Sequence, residues 1–442
     1  MEDRYDNPAT RLLAEEQLEP EQVEQSRPRT GLLQRATYFG VFLFCGVYFF
    51  RPEDFWLALA PIPLAKIVGI FTGVCLLFAV LIERAELPKE AKVLLALLAY
   101  LSICIPFSYW PGGSVEVVLQ VFAKTIVIAI AAMVSITSGK QLRRLMMLQV
   151  LAMVMMSAIA VGQPKMHDRM YGVGNLFADP NDFALNLCLV LAFAVALAVT
   201  AKRMVGKIVW VGAIGLILVA IVMTGSRGGF LALLATMFGL WRRFRLSRTA
   251  SFAIIVLVVL LGVGVAVVVG GSGYIERIST ITNMNADITG SSEARYELLT
   301  LSLITTVKHP LFGIGPGQFE NFSGAWHLTH NTYTEFSSEA GLPSLALFVF
   351  LLILTFRRLR ARSEDNYIGR LSDGLYGAMF GYMVGAFFLS TAYLFVQYLL
   401  IAYVSAVSRA TVSGIEDQAR HEDDIEEYKF DVPGWEEPQH EH

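Results

Sequence analysis

Two uncharged stretches decide the fold: Phe252–Gly270, FAIIVLVVLLGVGVAVVVG, and Leu342–Phe356, LPSLALFVFLLILTF. The first is long enough to cross the hydrocarbon core of a bilayer, which takes about 20 residues in a helix. Similar runs recur along the 442 residues, of which 55% are hydrophobic and only 17% are charged. Because soluble domains carry about 25% charged residues, the composition predicts an all-α polytopic membrane protein. The lipid bilayer is then a partner, and no nucleic acid is expected.

The number of membrane spans follows from the apolar runs. The final apolar stretch, residues 375–408, is too long for one span, and we divide it at Leu389–Tyr393, where Ser390 and Thr391 interrupt it. With a window of about 19 residues, we predict about twelve transmembrane helices. Their centres lie near residues 41, 72, 98, 126, 152, 190, 215, 235, 260, 348, 382 and 400.

Basic residues in the loops indicate the orientation. If the N-terminus is cytoplasmic, the inner loops carry 18 Lys and Arg residues and the outer loops carry seven. The positive-inside rule therefore favours cytoplasmic termini. The predicted segments are a polar cytoplasmic tail (1–30), spans one to nine (31–270), a large outer loop (271–341), spans ten to twelve (342–408) and an acidic cytoplasmic tail (409–442).

The large outer loop contains recognisable local structure. Leucine and isoleucine spacing from Arg295 to Val307 predicts an amphipathic helix, and Pro310 should end it. The glycine-rich run Gly313–Gly317 predicts a tight backbone turn. Because this loop is the longest polar segment between spans, we expect it to carry the function.

One loop segment places a histidine beside two carboxylates. Within Leu328–Leu342, Glu335 and Glu339 are i,i+4 neighbours on a predicted helix, and His330 lies at or just before its start. A histidine in such a position can act as a general base. The plainer alternative is a capped helix entrance, with His330 only an interfacial residue. A metal site formed by His327, His330 and Glu335 is a further alternative.

Two arginines at the predicted outer surface are candidates for binding an anion. Arg227 lies between two apolar spans, where a charge is costly unless it is paired or faces water. Arg295 lies on the amphipathic helix. A guanidinium presents paired donors that suit a phosphate. The alternatives are a snorkelling Arg227 and an Arg295 that forms a surface ion pair with Glu293 or Glu297.

A turn precedes the sixth predicted span. The segment Asn175–Ala184 contains Pro180 flanked by Asp179, Asn181 and Asp182. Aspartate or asparagine just before or after a proline is typical of a helix N-terminus. The simplest interpretation is therefore an N-cap.

The order of these motifs resembles the O-antigen ligase and O-antigen polymerase family of bacterial envelope glycosyltransferases. The resemblance covers about residues 175–350, and the segment Phe50–Trp56, FRPEDFW, resembles ligase-like members associated with exosortase gene clusters. Pro343-Ser344 departs from the pattern, because the family often has a second glycine there. The motifs are Asp179–Ala184 (DPNDFA), Ser226–Leu233 (SRGGFLAL), Arg295, Pro310–Phe319 (PLFGIGPGQF) and His330–Leu342 (HNTYTEFSSEAGL).

The resemblance implies a GT-C-like fold and an activity. Such proteins move a glycan from an undecaprenyl-diphosphate carrier to an acceptor hydroxyl at the periplasmic face of the bacterial inner membrane, without a metal or other cofactor. A direct displacement by the acceptor would invert the anomeric carbon. The acceptor would be lipid A–core for a ligase, which we favour, or another glycan for a polymerase. A membrane transporter is a less favoured alternative.

The resemblance also implies residue roles. His330 would be the base, and Glu339 would orient His330 or hold the acceptor. Arg227 and Arg295 would bind the diphosphate. The remaining expected substrate contacts are Gly315 and Gly317, which would let the backbone approach the substrate closely, and Asn181, Asn331 and Glu335.

The predicted orientation can be tested by cysteine labelling in intact cells. An impermeant thiol reagent should label Ser291→Cys in the outer loop and leave Ser363→Cys, in a predicted inner loop, unmodified until the membrane is permeabilised. Labelling of Ser363→Cys but not Ser291→Cys would reverse the orientation and remove the outer loop from the periplasm.

Overall fold

The computed structural model describes residues 31–56, 58–163, 170–172, 177–244, 291–324, 327–360 and 367–407. These residues form helices and connecting turns, with no strand among them. Eight of the helices are long and apolar enough to cross a membrane. The prediction of an all-α polytopic membrane protein is therefore confirmed.

The main helices are numbered here in chain order. Short helices at Pro52–Phe55 and Phe319–Ser323 are left unnumbered, and α4 is preceded without interruption by Pro111–Val115 and a π-helical segment, Glu116–Phe122. The bounds are α1 Leu32–Phe50, α2 Leu64–Leu81, α3 Lys89–Cys104, α4 Ala123–Ser135, α5 Gly139–Val161, α6 Pro180–Thr200, α7 Met204–Met223, α8 Arg227–Phe244, α9 Ser291–Lys308, α10 Thr332–Arg360, α11 Tyr367–Gly385 and α12 Phe395–Val407.

The predicted count of twelve spans is not confirmed. The eight candidate spans are α1 to α7 and α10, and each coincides with a predicted segment. Three further predicted segments coincide with α8, α11 and the shorter apolar helix α12. The segment centred near residue 260 lies outside the described residues, as do both tails and the start of the large loop.

Glycines on α11 explain how the centre of the bundle packs so closely. A Cβ added at Gly374 would lie 2.6 Å from Ala196 Cβ on α6, and one added at Gly381 would lie 2.0 Å from Thr236 Oγ1 on α8. Small residues let helix backbones approach in this way inside a membrane. As a result α6, whose side chains are almost all buried, forms the core against which the site residues are placed.

A buried ion pair fixes the end of the bundle opposite the loop. The fully buried Glu90, in the first turn of α3, pairs with Arg358 on α10, whose Nη2 lies 2.8 Å from Glu90 Oε2. The Ser405 hydroxyl on α12 donates to the same oxygen at 3.2 Å. A buried carboxylate needs such partners, so α3, α10 and α12 are held together here.

Candidate functional site

The loop contains the predicted helix and the predicted turn. The amphipathic helix is α9, which ends at Lys308, two residues before Pro310. Gly313, Gly315 and Gly317 all have positive φ angles, of 64°, 106° and 72°. Because side chains other than glycine rarely adopt these angles, the tight turn predicted at Gly313–Gly317 is confirmed. We refer to it as the glycine turn.

Close contacts with the protein explain the glycines of this turn. A Cβ at Gly315 would lie 1.9 Å from Ser108 Oγ, and one at Gly317 would lie 2.4 Å from Val117 Cγ2, in the π-helical segment. The space that a side chain would need is therefore filled by the protein itself. Gly315 and Gly317 thus allow two protein segments to approach closely, and their expected close approach to the substrate stays a prediction.

Helix α10 is kinked where the glycine turn packs against it. Ala340 and Gly341 are non-helical, and a Cβ at Gly341 would lie 1.9 Å from Leu311 O. The Leu342 N–H donates to Pro310 O at 2.8 Å. The helix thus begins at Thr332, inside the segment predicted as loop, and its kink coincides with the predicted start of span ten.

The departure at Pro343-Ser344 fits this kink. Pro343 lies just after the non-helical residues, where a helix restarts and a proline is tolerated. The Ser344 Oγ lies 2.7 Å from both Phe336 O and Gly341 O, and its one proton can be donated to either. It therefore satisfies a carbonyl group that the kink would otherwise leave without a partner.

Glu339 is the carboxylate that holds the glycine turn. Its side chain is fully buried, and its Oε2 accepts from Gly317 N at 2.6 Å and from the Tyr393 hydroxyl at 2.7 Å. Its Oε1 accepts from Phe319 N at 3.1 Å. With these three donors in place, the geometry supports a positioning role for Glu339. The expected orientation of His330 or binding of acceptor stays a prediction.

The predicted break in the apolar stretch 375–408 is present, and it packs on α10. Helix α11 ends at Gly385 and α12 begins at Phe395, so residues 386–394 form a turn. The buried Glu335 accepts from Ala392 N at 3.0 Å. The Thr332 hydroxyl shares a 2.9 Å hydrogen bond with the Thr391 hydroxyl. The expected substrate contact by Glu335 stays a prediction.

His330 has a backbone conformation that costs free energy. Its φ is 52°, in the left-handed region, which costs of order 1–3 kcal/mol for such a residue. Asn331 follows and caps α10, because its Oδ1 accepts from Tyr333 N at 2.9 Å and Thr334 N at 3.1 Å. The Thr329 hydroxyl lies 2.9 Å from Ser390 Oγ. The capped helix entrance is thus present, with Asn331 as the cap and a strained, half-buried His330 beside it.

Charges from two other elements act on the His330 imidazole. Burial and then the nearby Arg295 lower its pKa to about 4, while Asp179 partly opposes this and His327 adds to it. His330 is therefore neutral at pH 7 in the free protein, and its expected role as the base stays a prediction. Sequence reasoning assigned Asp179 only to helix capping and missed this second role.

Asn181 connects Asp179 to the start of α8. Asp179 caps α6 as predicted, and its Oδ1 accepts from Asn181 N at 2.6 Å. The buried Asn181 accepts at Oδ1 from the Ser226 hydroxyl at 2.7 Å, and Ser226 Oγ accepts from Gly229 N at 3.0 Å. Since Ser226 precedes Arg227, Asn181 fixes the first turn that carries this arginine. The expected contact between Asn181 and the substrate stays a prediction.

The start of α8 also lies against the 386–394 turn. A Cβ at Gly228, next to Arg227, would be 2.8 Å from Phe388 Cβ. Arg227 and His330 are therefore both held by residues that contact this turn. Among the described residues no three His, Cys, Asp or Glu side chains are grouped as metal ligands, so His327, His330 and Glu335 do not form the alternative metal site.

These features define an integral membrane protein with a polar site built from a loop and the adjoining helix ends. Residues 212–349 match the family model described as O-antigen ligase, and this segment includes Arg227, Arg295, His330, Glu335 and Glu339. The match covers about a third of the chain, and over that segment it supports the resemblance to the O-antigen ligase and polymerase family. No curated protein matches the sequence.

The role of Glu339 can be tested against that of Glu335, its neighbour one turn away. In Glu339→Gln only one side-chain oxygen can still accept, and the N–H₂ group faces at least one of the three donors. The free energy of unfolding should therefore fall by about 1–3 kcal/mol. Glu335→Gln can keep its single bond from Ala392 N through the amide oxygen. We expect a clearly larger fall in melting temperature, and faster proteolysis at residues 309–319, for Glu339→Gln. Equal effects of the two substitutions would contradict the positioning role.

Proposed function

We propose that the protein transfers a glycan from an undecaprenyl-diphosphate carrier to an acceptor hydroxyl at the periplasmic face of the bacterial inner membrane. The observation that supports this most strongly is the strained His330, which lies under the influence of Arg295 within the O-antigen ligase domain. A neutral imidazole next to a permanent cation suits a reaction that removes a proton and releases an anion. The coarser assignment, a member of the O-antigen ligase and polymerase family, follows from the family match.

The arginines suit the leaving group. As the bond between the anomeric carbon and the diphosphate breaks, negative charge develops on the diphosphate, and preorganised donors stabilise that charge most effectively. Arg295 is half-buried on α9, and Arg227 is half-buried at the first residue of α8. The Asn181–Ser226 hydrogen bond holds the turn that carries Arg227, so its guanidinium can be fixed in advance.

His330 suits the acceptor. In the proposed reaction the acceptor oxygen attacks the anomeric carbon, its proton passes to the imidazole, and the electron pair of the broken bond leaves with the diphosphate. Because bond formation and cleavage occur on opposite faces, the anomeric configuration inverts. No metal or cofactor takes part. A bound diphosphate would offset the charge of Arg295, so donor binding should raise the pKa of His330 above its value in the free protein.

The acceptor defines two versions of the proposal. We favour transfer to lipid A–core, as in a ligase, because the His330-Asn331 motif and the Phe50–Trp56 block resemble those of ligases. Transfer to another glycan, as in a polymerase, is the alternative. A transporter is less favoured because such proteins usually bind their substrate near the middle of the membrane between repeated halves.

The proposed base can be tested with a substitution that respects the backbone. Asparagine tolerates positive φ better than alanine does, so His330→Asn should fold normally and still be unable to accept a proton. We expect glycan transfer to fall by about 10²- to 10⁴-fold. His327→Asn, three residues earlier and exposed, is the matched control and should keep most of its activity. Comparable activity in both variants would exclude His330 as the base.

The pH dependence offers a second test. The active form of the base is neutral, so a pKa of about 4 in the free protein predicts a flat kcat/KM between about pH 5.5 and 7.5. The acidic limb of kcat reports the pKa of His330 in the complex with the donor. Because donor binding should raise that pKa, this limb should lie at higher pH than the acidic limb of kcat/KM. Asp179→Asn, which can still cap α6, should shift the limb of kcat/KM to lower pH. A kcat/KM limb near pH 6.5, unchanged by Asp179→Asn, would contradict the assigned environment.

The arginine pair predicts an ordered loss of activity. Removing one charged donor from such a site costs about 3 kcal/mol, or over a hundredfold in rate. Arg227→Ala and Arg295→Ala should show this loss, and the lysine variants should keep an intermediate activity, because lysine supplies charge without paired donors. Arg51→Ala, which removes the surface ion pair with Asp54, is the control. Alanine variants with more than half of the wild-type rate would exclude the diphosphate clamp.

A further inference from the structure

Several buried polar atoms have no hydrogen-bond partner among the described residues, and two of them lie close together inside the bundle. These two are the amide Oε1 of Gln149 and the hydroxyl of Tyr403, on side chains that are 3% and 0% exposed. Gln149 lies near the middle of the spanning helix α5, and Tyr403 lies on α12. A buried polar group without a hydrogen bond reduces the stability of the fold in this environment. We therefore expect a bound molecule that forms hydrogen bonds with both the Gln149 amide oxygen and the Tyr403 hydroxyl. The Cys45 thiol lies near Tyr403, but a thiol is only a weak partner.

Both residues line the same small cavity. Its volume of about 10 Å³ is close to the minimum that holds one water molecule. Asn186 on α6 is the third polar side chain of its lining. The Asn186 Nδ2 donates to Asp182 O at 2.9 Å, so the amide oxygen of Asn186 can accept a hydrogen bond from a molecule in the cavity. The apolar part of the lining is Leu189, Val190, Phe193, Val396 and Leu400.

We propose that this cavity is a binding site for one water molecule that bridges Gln149, Tyr403 and Asn186. A water can donate to both amide oxygens and accept from the tyrosine hydroxyl, which gives the three bonds that buried waters typically make. The three polar side chains that line the cavity are all uncharged. A metal cation is therefore disfavoured, because no carboxylate in the lining offsets its charge.

The site has a structural consequence for the residues above it. A second cavity, of about 20 Å³, shares Asn186, Leu189 and Val396 with the first and reaches Asp182 and Thr391. The polar lining thus continues from the middle of the bundle to the 386–394 turn. By joining α12 to α5 and α6, the water fixes the short helix on which that turn rests. The inference does not depend on the proposed function.

Paired substitutions test the bridge in the purified full-length protein. Gln149→Leu and Tyr403→Phe should each lower the melting temperature, because each removes one hydrogen-bond partner of the buried water. The double variant should lose clearly less than the two single losses together, because removing all partners of a buried group costs less than removing one. The control pairs Gln149→Leu with Tyr398→Phe. Tyr398 lies on the same helix but donates to Ala392 O at 2.5 Å, and it does not line the cavity. The fall in melting temperature of this control double variant should therefore equal the sum of the falls of its two single variants.

A density map provides the deciding measurement, including the case in which a variant does not fold. At a resolution of about 2 Å, a peak should lie within hydrogen-bond distance of all three side chains. A map without this peak overturns the proposal, as do strictly additive losses for Gln149→Leu and Tyr403→Phe. A melting temperature that rises in sodium relative to choline chloride at equal ionic strength would also overturn it, in favour of a cation.

Discussion

The Glu339 carboxylate joins the three segments from which the site is built. It accepts hydrogen bonds from Gly317 in the glycine turn, from Phe319 just after that turn, and from Tyr393 in the 386–394 turn. A buried carboxylate without donors would be severely destabilising, so these segments must fold together. The kink at Ala340 and Gly341 follows from the same arrangement, because the chain at Leu311 occupies the space where a straight α10 would pass.

Rigidity at this point explains how His330 can keep an unfavourable backbone conformation. The hydrogen bonds of Thr329, Asn331 and Thr332 fix the chain on both sides of it. Strained residues persist where their surroundings over-determine them, and they cluster at functional sites. Arg295 and Asp179 then act on the imidazole in opposite directions. An anion that binds Arg295 would weaken the effect of this arginine and so raise the pKa of His330. Binding of the donor is thereby connected to the basicity of His330.

The sequence was sufficient for the features that depend on local patterns. Apolar runs identify the spans, and the glycine spacing identifies the turn at Gly313–Gly317, because both depend on residues close together in the chain. The break between α11 and α12 was also predictable, since Ser390 and Thr391 interrupt an apolar stretch. The order of the motifs also indicated the family resemblance that the match over residues 212–349 supports.

Contacts between distant residues could not be predicted in this way. Glu339 and Tyr393 are 54 positions apart, and no local pattern pairs them. The close approach of Ser108 to Gly315 was likewise not predictable, because a glycine pattern cannot indicate which group approaches it. Asp179 looked like a simple cap, and only the packing of α6 beside the loop gives its charge an effect on His330.

The central claim is that the protein catalyses glycan transfer from a lipid diphosphate. The most direct measurement uses the purified protein in vesicles with an undecaprenyl-diphosphate-linked glycan and lipid A–core. The account predicts that glycan appears on lipid A–core in amounts equal to the undecaprenyl diphosphate released. Elongation of the glycan on its carrier would indicate a polymerase instead. Movement of the intact donor across the bilayer, with no cleavage of its glycosyl bond, would contradict the account.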